Sequence, residues 1–145
     1  MPHLQSRDAA LFVYLAWDTR GGLPVLDSEE LRQAAYRAII TRIRSRFCHV
    51  LAIGGTAGRI QLIVQIPPSL SVSDVVRMAQ EAGGSAIAHQ AETFWGRSIS
   101  RDHLWDRGFL THTLPQTDAA DAESYLKEQS MRIRAKKDQL ALNFI

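Results

Sequence analysis

Two residue pairs in this 145-residue chain have the spacing to act together on one group. Tyr125 and Gln129 lie four apart in a segment that reads as helix, so they share a face and can point at one ligand. Arg59 and Gln61 lie two apart in a segment that alternates like a strand, so they too share a face. A phenol titrates near pH ~10 in isolation. It becomes a nucleophile only beside a polarising neighbour, attacking an electrophile that a cation has made more reactive. Taken alone, Tyr125 is an ordinary helix tyrosine with its ring in the core. Arg59 stays protonated and cannot ligate a metal, although its guanidinium fork can hold a phosphate. Gln61 offers only a neutral carbonyl. His49, His103 and His112 are further candidate ligands, but none has a partner at metal-site spacing, and each reads first as a surface or core-edge residue.

A second group gathers between the last two apolar segments. Trp95 and Trp105 have rings that can stack on unpaired bases, and Arg97 and Arg101, with Ser98 and Ser100, can hold phosphates. A tryptophan in such a setting is more often core. Arg132, Arg134 and Lys136 extend the Tyr125 helix and are candidate phosphate contacts. Cys48 is the only cysteine, which excludes an internal disulfide and a cysteine metal cage and makes it a small buried hydrophobe.

The elements that must position these residues follow from patterning. The length suits one domain, 1–145, with its core at about 9–137 and a tail at 138–145. Ala9 to Trp17 is a short apolar run and reads as a strand covered on both faces. Asp27 or Ser28 caps a helix that carries Leu31, Ala35, Ala38, Ile39 and Ile43 at helical spacing and ends near Arg46. His49 to Ile53 and Arg59 to Ile66 read as a hairpin around a turn at Gly54 to Gly58. In the second of these strands Ile60, Leu62, Val64 and Ile66 face one side, and Arg59, Gln61, Ile63 and Gln65 the other.

Pro67-Pro68 stops that strand, and Ser71 with Asp74 forms a capping box that opens a second helix, which Gly83-Gly84 should weaken or bend. Gly108 to Leu114 reads as a fourth strand. Asp118 or Asp121 caps a last helix to about Lys137, and Leu140 to Ile145 should dock on something, such as a second subunit. The order strand, helix, strand, strand, helix, strand, helix predicts an α+β, ferredoxin-like (split βαβ) antiparallel sheet with helices on one face plus a C-terminal helix.

Charge is less informative. The net charge is +2 and the sequence pI about 9.0. Arg32, Arg37, Arg42, Arg44 and Arg46 crowd one segment, and Lys127, Arg132, Arg134, Lys136 and Lys137 another. Such clusters can follow a phosphate backbone, but charge alone favours the plainer reading of solvated helix faces. The longest apolar runs are too short to span a bilayer and the N-terminus lacks signal-peptide character, so a cytoplasmic protein is expected.

Five segments in order resemble a known family. Tyr14-Leu-Ala-Trp17-Asp-Thr-Arg20 with Pro24-Val-Leu, Gly58-Arg-Ile-Gln-Leu-Ile-Val64, Pro67-Pro68 through Asp74, Leu104-Trp105-Asp-Arg-Gly-Phe109 and Glu123-Ser-Tyr125-Leu-Lys-Glu-Gln129 are similar to segments of the small single-tyrosine HUH transposases. That group includes the enzymes of the smallest insertion sequences and the REP-associated tyrosine transposases. The resemblance covers about Leu11 to Lys136.

It implies a homodimer that binds single-stranded or hairpin DNA and cuts it through Tyr125, holding the strand as a 5′-phosphotyrosine. It also implies one magnesium or manganese ion, held by two strand histidines and by a glutamine at the position of Gln129. Here Arg59 and Gln61 stand at the histidine positions, so no metal or other cofactor is expected and metal-dependent cleavage should be impaired or lost. Arg97, Arg101, Trp105, Arg132 and Arg134 are the expected DNA contacts. Two rivals remain: strand transfer that survives with Arg59 standing in for the metal, and a non-enzymatic module that binds protein or RNA.

Overall fold

The computed structural model describes residues 10–95 and 103–143, with side chains placed for 10–92 and 103–132. Four strands are formed: β1 (Leu11–Asp18), β2 (His49–Thr56), β3 (Arg59–Ile66) and β4 (Leu110–Leu114). They pair in the order β2-β3-β1-β4, every pair antiparallel. The helices are α1 (Glu29–Arg44), α2 (Val72–Trp95) and α3 (Ala119–Asn143), and a short 3-10 turn covers Arg20–Gly22. This is the expected α+β architecture, with α1 and α2 on one face of the sheet and α3 on the other.

Period-two alternation divides the two central strands between two cores. Val13, Leu15 and Trp17 of β1 and Ile60, Leu62, Val64 and Ile66 of β3 pack with Leu31, Ala35, Ile39 and Ile43 of α1 and Val75, Met78, Ala79 and Ile87 of α2. The opposite face carries a smaller cluster, in which Tyr14, Ala16, Ala52 and Ile63 meet Ala122 and Leu126 of α3.

Caps fix where the helices begin. Ser28 Oγ accepts from the Leu31 amide, with Glu29 and Glu30 in the first turn where the dipole favours acid. At α2 the capping box is reciprocal: Ser71 N–H donates to Asp74 at 3.1 Å and Asp74 N–H to Ser71 Oγ at 3.0 Å. Asp118 accepts from the Asp121 amide at 2.8 Å and so opens α3.

Several boundaries differ from the sequence expectation. Gly54 and Gly55, read as turn, belong to β2, and the hairpin closes beyond Thr56. A side chain at Gly55 would place Cβ against the Arg59 carbonyl oxygen, so the strand passes there only with glycine. Gly83-Gly84 does not interrupt α2, which runs unbroken from Val72 to Trp95. A Cβ at Gly83 would stand 3.1 Å from Ile39 Cδ1, and one at Gly84 3.3 Å from Trp105 Nε1. The pair therefore marks a close crossing of α1 and the 103–108 loop over α2 rather than a break. β4 begins at Leu110, not Gly108. α3 continues to Asn143, so most of the expected tail beyond Lys137 is helix.

Candidate functional site

The β1–β3 register sets Asp18 opposite Arg59, Ala16 opposite Gln61 and Tyr14 opposite Ile63, all on the face that α3 covers. Asp18 and Arg59 form a two-pronged ion pair, with Nε to Oδ1 at 2.5 Å and Nη2 to Oδ2 at 2.9 Å. A parallel pair of charge-assisted bonds orients both groups and lets Asp18 balance the cation. The hydrogen bond that Arg59 donates to Asp18 is the largest cause that raises the Arg59 pKa above its ordinary value, against the opposing effect of burial. Arg59 stays cationic at any accessible pH.

Gln61 is buried, 1% exposed. Its Nε2 donates to Tyr14 Oη at 2.8 Å, and its Oε1 accepts from Ser130 Oγ of α3 at 2.9 Å. A buried amide costs stability unless both ends are paired, and here both are. The Tyr14 ring lies between two aromatics: His112 of β4 stacks on it at 5.6 Å, and Tyr125 of α3 meets it edge-on at 5.4 Å. Burial raises the Tyr14 pKa above that of a free phenol, while the Gln61 hydrogen bond and the Arg59 charge pull the other way. Tyr14 is therefore a neutral phenol at neutral pH.

The fold thus brings Arg59, Gln61 and Tyr125 into one patch, with His112 alongside. Gln129 is half-buried one turn beyond Tyr125. His49 sits at the far end of β2, paired with Gln65, and His103 is exposed in the loop before β4. Three members of the patch escaped the sequence reading as site residues: Tyr14, Asp18 and Ser130. Alternation in β1 puts Tyr14 and Asp18 on one face, so that signal was available. Ser130 lies five residues beyond Tyr125, and its reach to Gln61 depends on how α3 crosses the sheet.

These residues do not fit a divalent cation. The guanidinium of Arg59 has no lone pair to give and repels one. The Gln61 carbonyl is taken by Ser130, and Asp18, the carboxylate opposite Arg59, is committed to the fork. Among the described residues no group of three or more His, Cys, Asp or Glu side chains comes together.

The expected DNA contacts divide. Trp105 donates its indole N–H to the Gln80 carbonyl of α2 at 3.0 Å and meets Trp17 edge-on at 6.2 Å, so much of it is used in packing. Arg132 is exposed and pairs with Glu128 at 2.7 Å. Arg97, Ser98, Ser100 and Arg101, and the side chains of Trp95, Arg134 and Lys136, lie outside the described residues. Cys48 is buried, as expected, and burial raises its thiol pKa.

The comparison that decides the family is a match of residues 14–129 to the model for "Transposase IS200 like". The chain belongs to the IS200-like transposase family. Two solved structures share the fold of this IS200-like chain. One is a protein from Deinococcus radiodurans R1 assigned as a transposase, with a TM-score of 0.59 and 18% identity over 83% of this chain and 91% of that one. The other is a REP-associated tyrosine transposase bound to a REP hairpin, with a TM-score of 0.53 and 16% identity. That match covers 81% of this chain but 61% of the other. A search of curated proteins by sequence finds no match. Among the described residues no helix is long and apolar enough to cross a membrane.

Proposed function

We propose that this IS200-like chain is a cytoplasmic, homodimeric binder of single-stranded and hairpin DNA that has lost metal-dependent cleavage. One observation carries the reading: the two positions where the family resemblance expects metal-binding histidines hold side chains fully engaged within the protein. Arg59 is forked onto Asp18, and Gln61 is paired at both ends of its amide, with Tyr14 and Ser130. A cation is commonly the largest local charge in phosphoryl chemistry, so its loss removes most of the rate while leaving DNA contacts intact. The hairpin-bound relative supports the choice of ligand. Arg97, Arg101, Trp105, Arg132 and Arg134 are assigned to the DNA, Arg132 exchanging Glu128 for a phosphate and Trp105 offering the part of its ring that packing leaves open.

Titration with fluorescent hairpin DNA, with and without manganese, followed by a denaturing gel, tests this. Binding that ignores manganese and leaves no covalent adduct is expected; a manganese-dependent nick would overturn the reading. The positions themselves are tested by Arg59→His with Gln61→His, which places two imidazoles on one strand face beside Asp18, with Gln129 available from α3. Calorimetry should show a manganese site absent from the parent chain, and no gain of binding would move the metal positions elsewhere.

A second reading keeps strand transfer, favoured by the contact between Tyr125 and Tyr14 in the same patch as Arg59. Tyr125 Oη would bond to phosphorus as the bond to O3′ breaks. The phenol proton would pass to the leaving 3′-oxygen, and Arg59 would hold the phosphate. A metal-independent adduct that disappears in Tyr125→Phe selects this reading over the first.

A further inference from the structure

The turn between α1 and β2 carries a side chain that its backbone does not favour. Cys48 N–H donates to the Ile43 carbonyl at 3.1 Å and Phe47 N–H to the Arg44 carbonyl at 3.0 Å, the double closure of a Schellman motif. Its left-handed position is usually glycine, sometimes asparagine. Here it is Phe47, at φ 66°, the only non-glycine residue with positive φ among those described. Cys48 is buried and anchors the turn, but Phe47 is 85% exposed and gains no core packing for the strain. A strained, exposed aromatic that packing does not explain points to a function.

Its surroundings are cationic. Arg42, Arg44 and Arg46 are all exposed, and none forms an ion pair with a described residue. Arg42 donates only to Ser45 Oγ, at 3.3 Å. No aspartate or glutamate occurs between Glu30 and Asp74, a stretch that holds six of the chain's 17 arginines and lysines and none of its 15 carboxylates. The remainder of the chain, with 11 basic and 15 acidic residues, is net negative. The modest overall charge therefore hides a polar distribution, with its free positive end at this turn. Favourable contact with the α1 dipole accounts for Arg42 and Arg44, but not for an exposed ring beyond the helix end.

From these features we infer that the Phe47 turn is a contact for single-stranded DNA, separate from the tyrosine patch, in which a base stacks on Phe47 and neighbouring phosphates lie on Arg44 and Arg46. A flat exposed ring among cations, with no enclosing pocket, takes unpaired bases without regard to sequence. Phe47 is the one large apolar side chain exposed on the turn, too little surface for insertion into a bilayer. The turn adjoins His49, which pairs with Gln65, six residues along β3 from Arg59. At the strand rise this is roughly 20 Å from the patch. At that separation the turn and the tyrosine face do not compete for the same nucleotide. This inference rests on the DNA-binding reading for its choice of ligand, but not on any residue assigned there.

The test uses the full chain, fluorescent oligothymidylate and a hairpin probe, with Phe47→Gly and the pair Arg44→Ser, Arg46→Ser. Glycine suits the turn, so Phe47→Gly should fold at least as well as the parent. Anisotropy should show oligothymidylate binding weakened about tenfold in Phe47→Gly. The arginine pair should flatten the logarithmic salt dependence by about 1.4, two phosphates at about 0.7 each. Hairpin binding should change less. The inference is overturned if the folded parent binds no oligothymidylate, or if Phe47→Gly binds it like the parent. It is also overturned if the substitution abolishes binding only to phosphatidylserine vesicles. Oligothymidylate binding that depends on Phe47 without any hairpin binding would uphold this inference and strike the hairpin from the function proposed above.

Discussion

The two faces of the sheet are built from the same strands and solve opposite problems. Toward α1 and α2, β1 and β3 present Val13, Leu15, Trp17, Ile60, Leu62, Val64 and Ile66, and the side chains that meet them are overwhelmingly apolar. Toward α3 the same strands present Tyr14, Ala16, Asp18, Arg59, Gln61 and Ile63, and α3 answers with Ala122 and Leu126, the partly buried ring of Tyr125 and one hydroxyl, Ser130. The first face gains stability from area removed from water. The second spends much of its interior on a tyrosine, an amide and an ion pair that must all be satisfied before burial is favourable. A face kept polar in this way costs stability, and such costs are commonly found where a site is or has been.

The contrast breaks most visibly by truncation. Leu62 is fully buried between sheet and helices, and Leu62→Ala should cost about 4 kcal/mol, a large part of the stability of a domain this size. Leu126, 7% exposed with its Cδ1 3.7 Å from the Cβ position of Gly54, stands at the rim of the thinner core. Leu126→Ala should cost about 2 kcal/mol. Urea denaturation of both variants checks the order. Equal losses would mean that α3 is held as firmly as α1 and α2, and the proposed asymmetry would fall.

The polar network gives the next effect. Gln61→Leu fills similar space but leaves the Tyr14 hydroxyl and Ser130 without their partner, at a cost of about 2 kcal/mol. Adding Tyr14→Phe removes one orphaned group and should recover about 1 kcal/mol of that. Double-mutant analysis of melting reads the coupling directly, and strict additivity would show that the Tyr14–Gln61 bond contributes nothing.

How far this was legible depends on the kind of signal. Period-two alternation in β3 placed Arg59 and Gln61 together and away from Leu62, and the Ser71–Asp74 pair announced the start of α2; both are local rules and both hold. Gly54-Gly55 and Gly83-Gly84 misled, because a glycine pair looks the same in sequence whether it makes a turn or lets backbones approach. The first pair lies in a strand beside Arg59, and the second beneath Ile39 and Trp105. At the site, the family resemblance pointed to Tyr125, Gln61 and Arg59, and spacing showed only that Arg59 and Gln61 share a strand face. The partners that decide their chemistry, Asp18, Tyr14 and Ser130, come from two other elements and become neighbours only through register and helix crossing.

Alkaline titration sharpens the comparison without changing a core. Burial holds the Tyr14 pKa above its unfolded value of about 10, so folding favours the protonated phenol. Its contribution is fully present below pH ~10 and is lost as pH rises from there through the folded value. Tyr36, raised by burial on the other side of the sheet, and Cys48 add to the same alkaline decline. Tyr14→Phe should lower stability at neutral pH yet make the decline above pH ~10 shallower. An unchanged alkaline slope would mean that Tyr14 is wetter than its surroundings imply.

The smallest effect belongs to the ion pair, and it distinguishes a structural fork from a functional one. Asp18 is about a third exposed, and Arg59 is less so. Solvent screens such a pair, and Asp18→Asn keeps one acceptor for the guanidinium, so the loss of stability should stay below about 1 kcal/mol. DNA affinity should respond in the opposite direction. The carboxylate cancels the Arg59 charge and occupies its fork, so removing that charge frees a cation on the tyrosine face for phosphate. Hairpin binding should tighten by a few-fold at low salt, with the gain fading as salt rises. If Asp18→Asn instead weakens hairpin binding while the fold holds, the pair is orienting Arg59 toward DNA rather than withholding it, and the polar face is a working surface rather than a retired one.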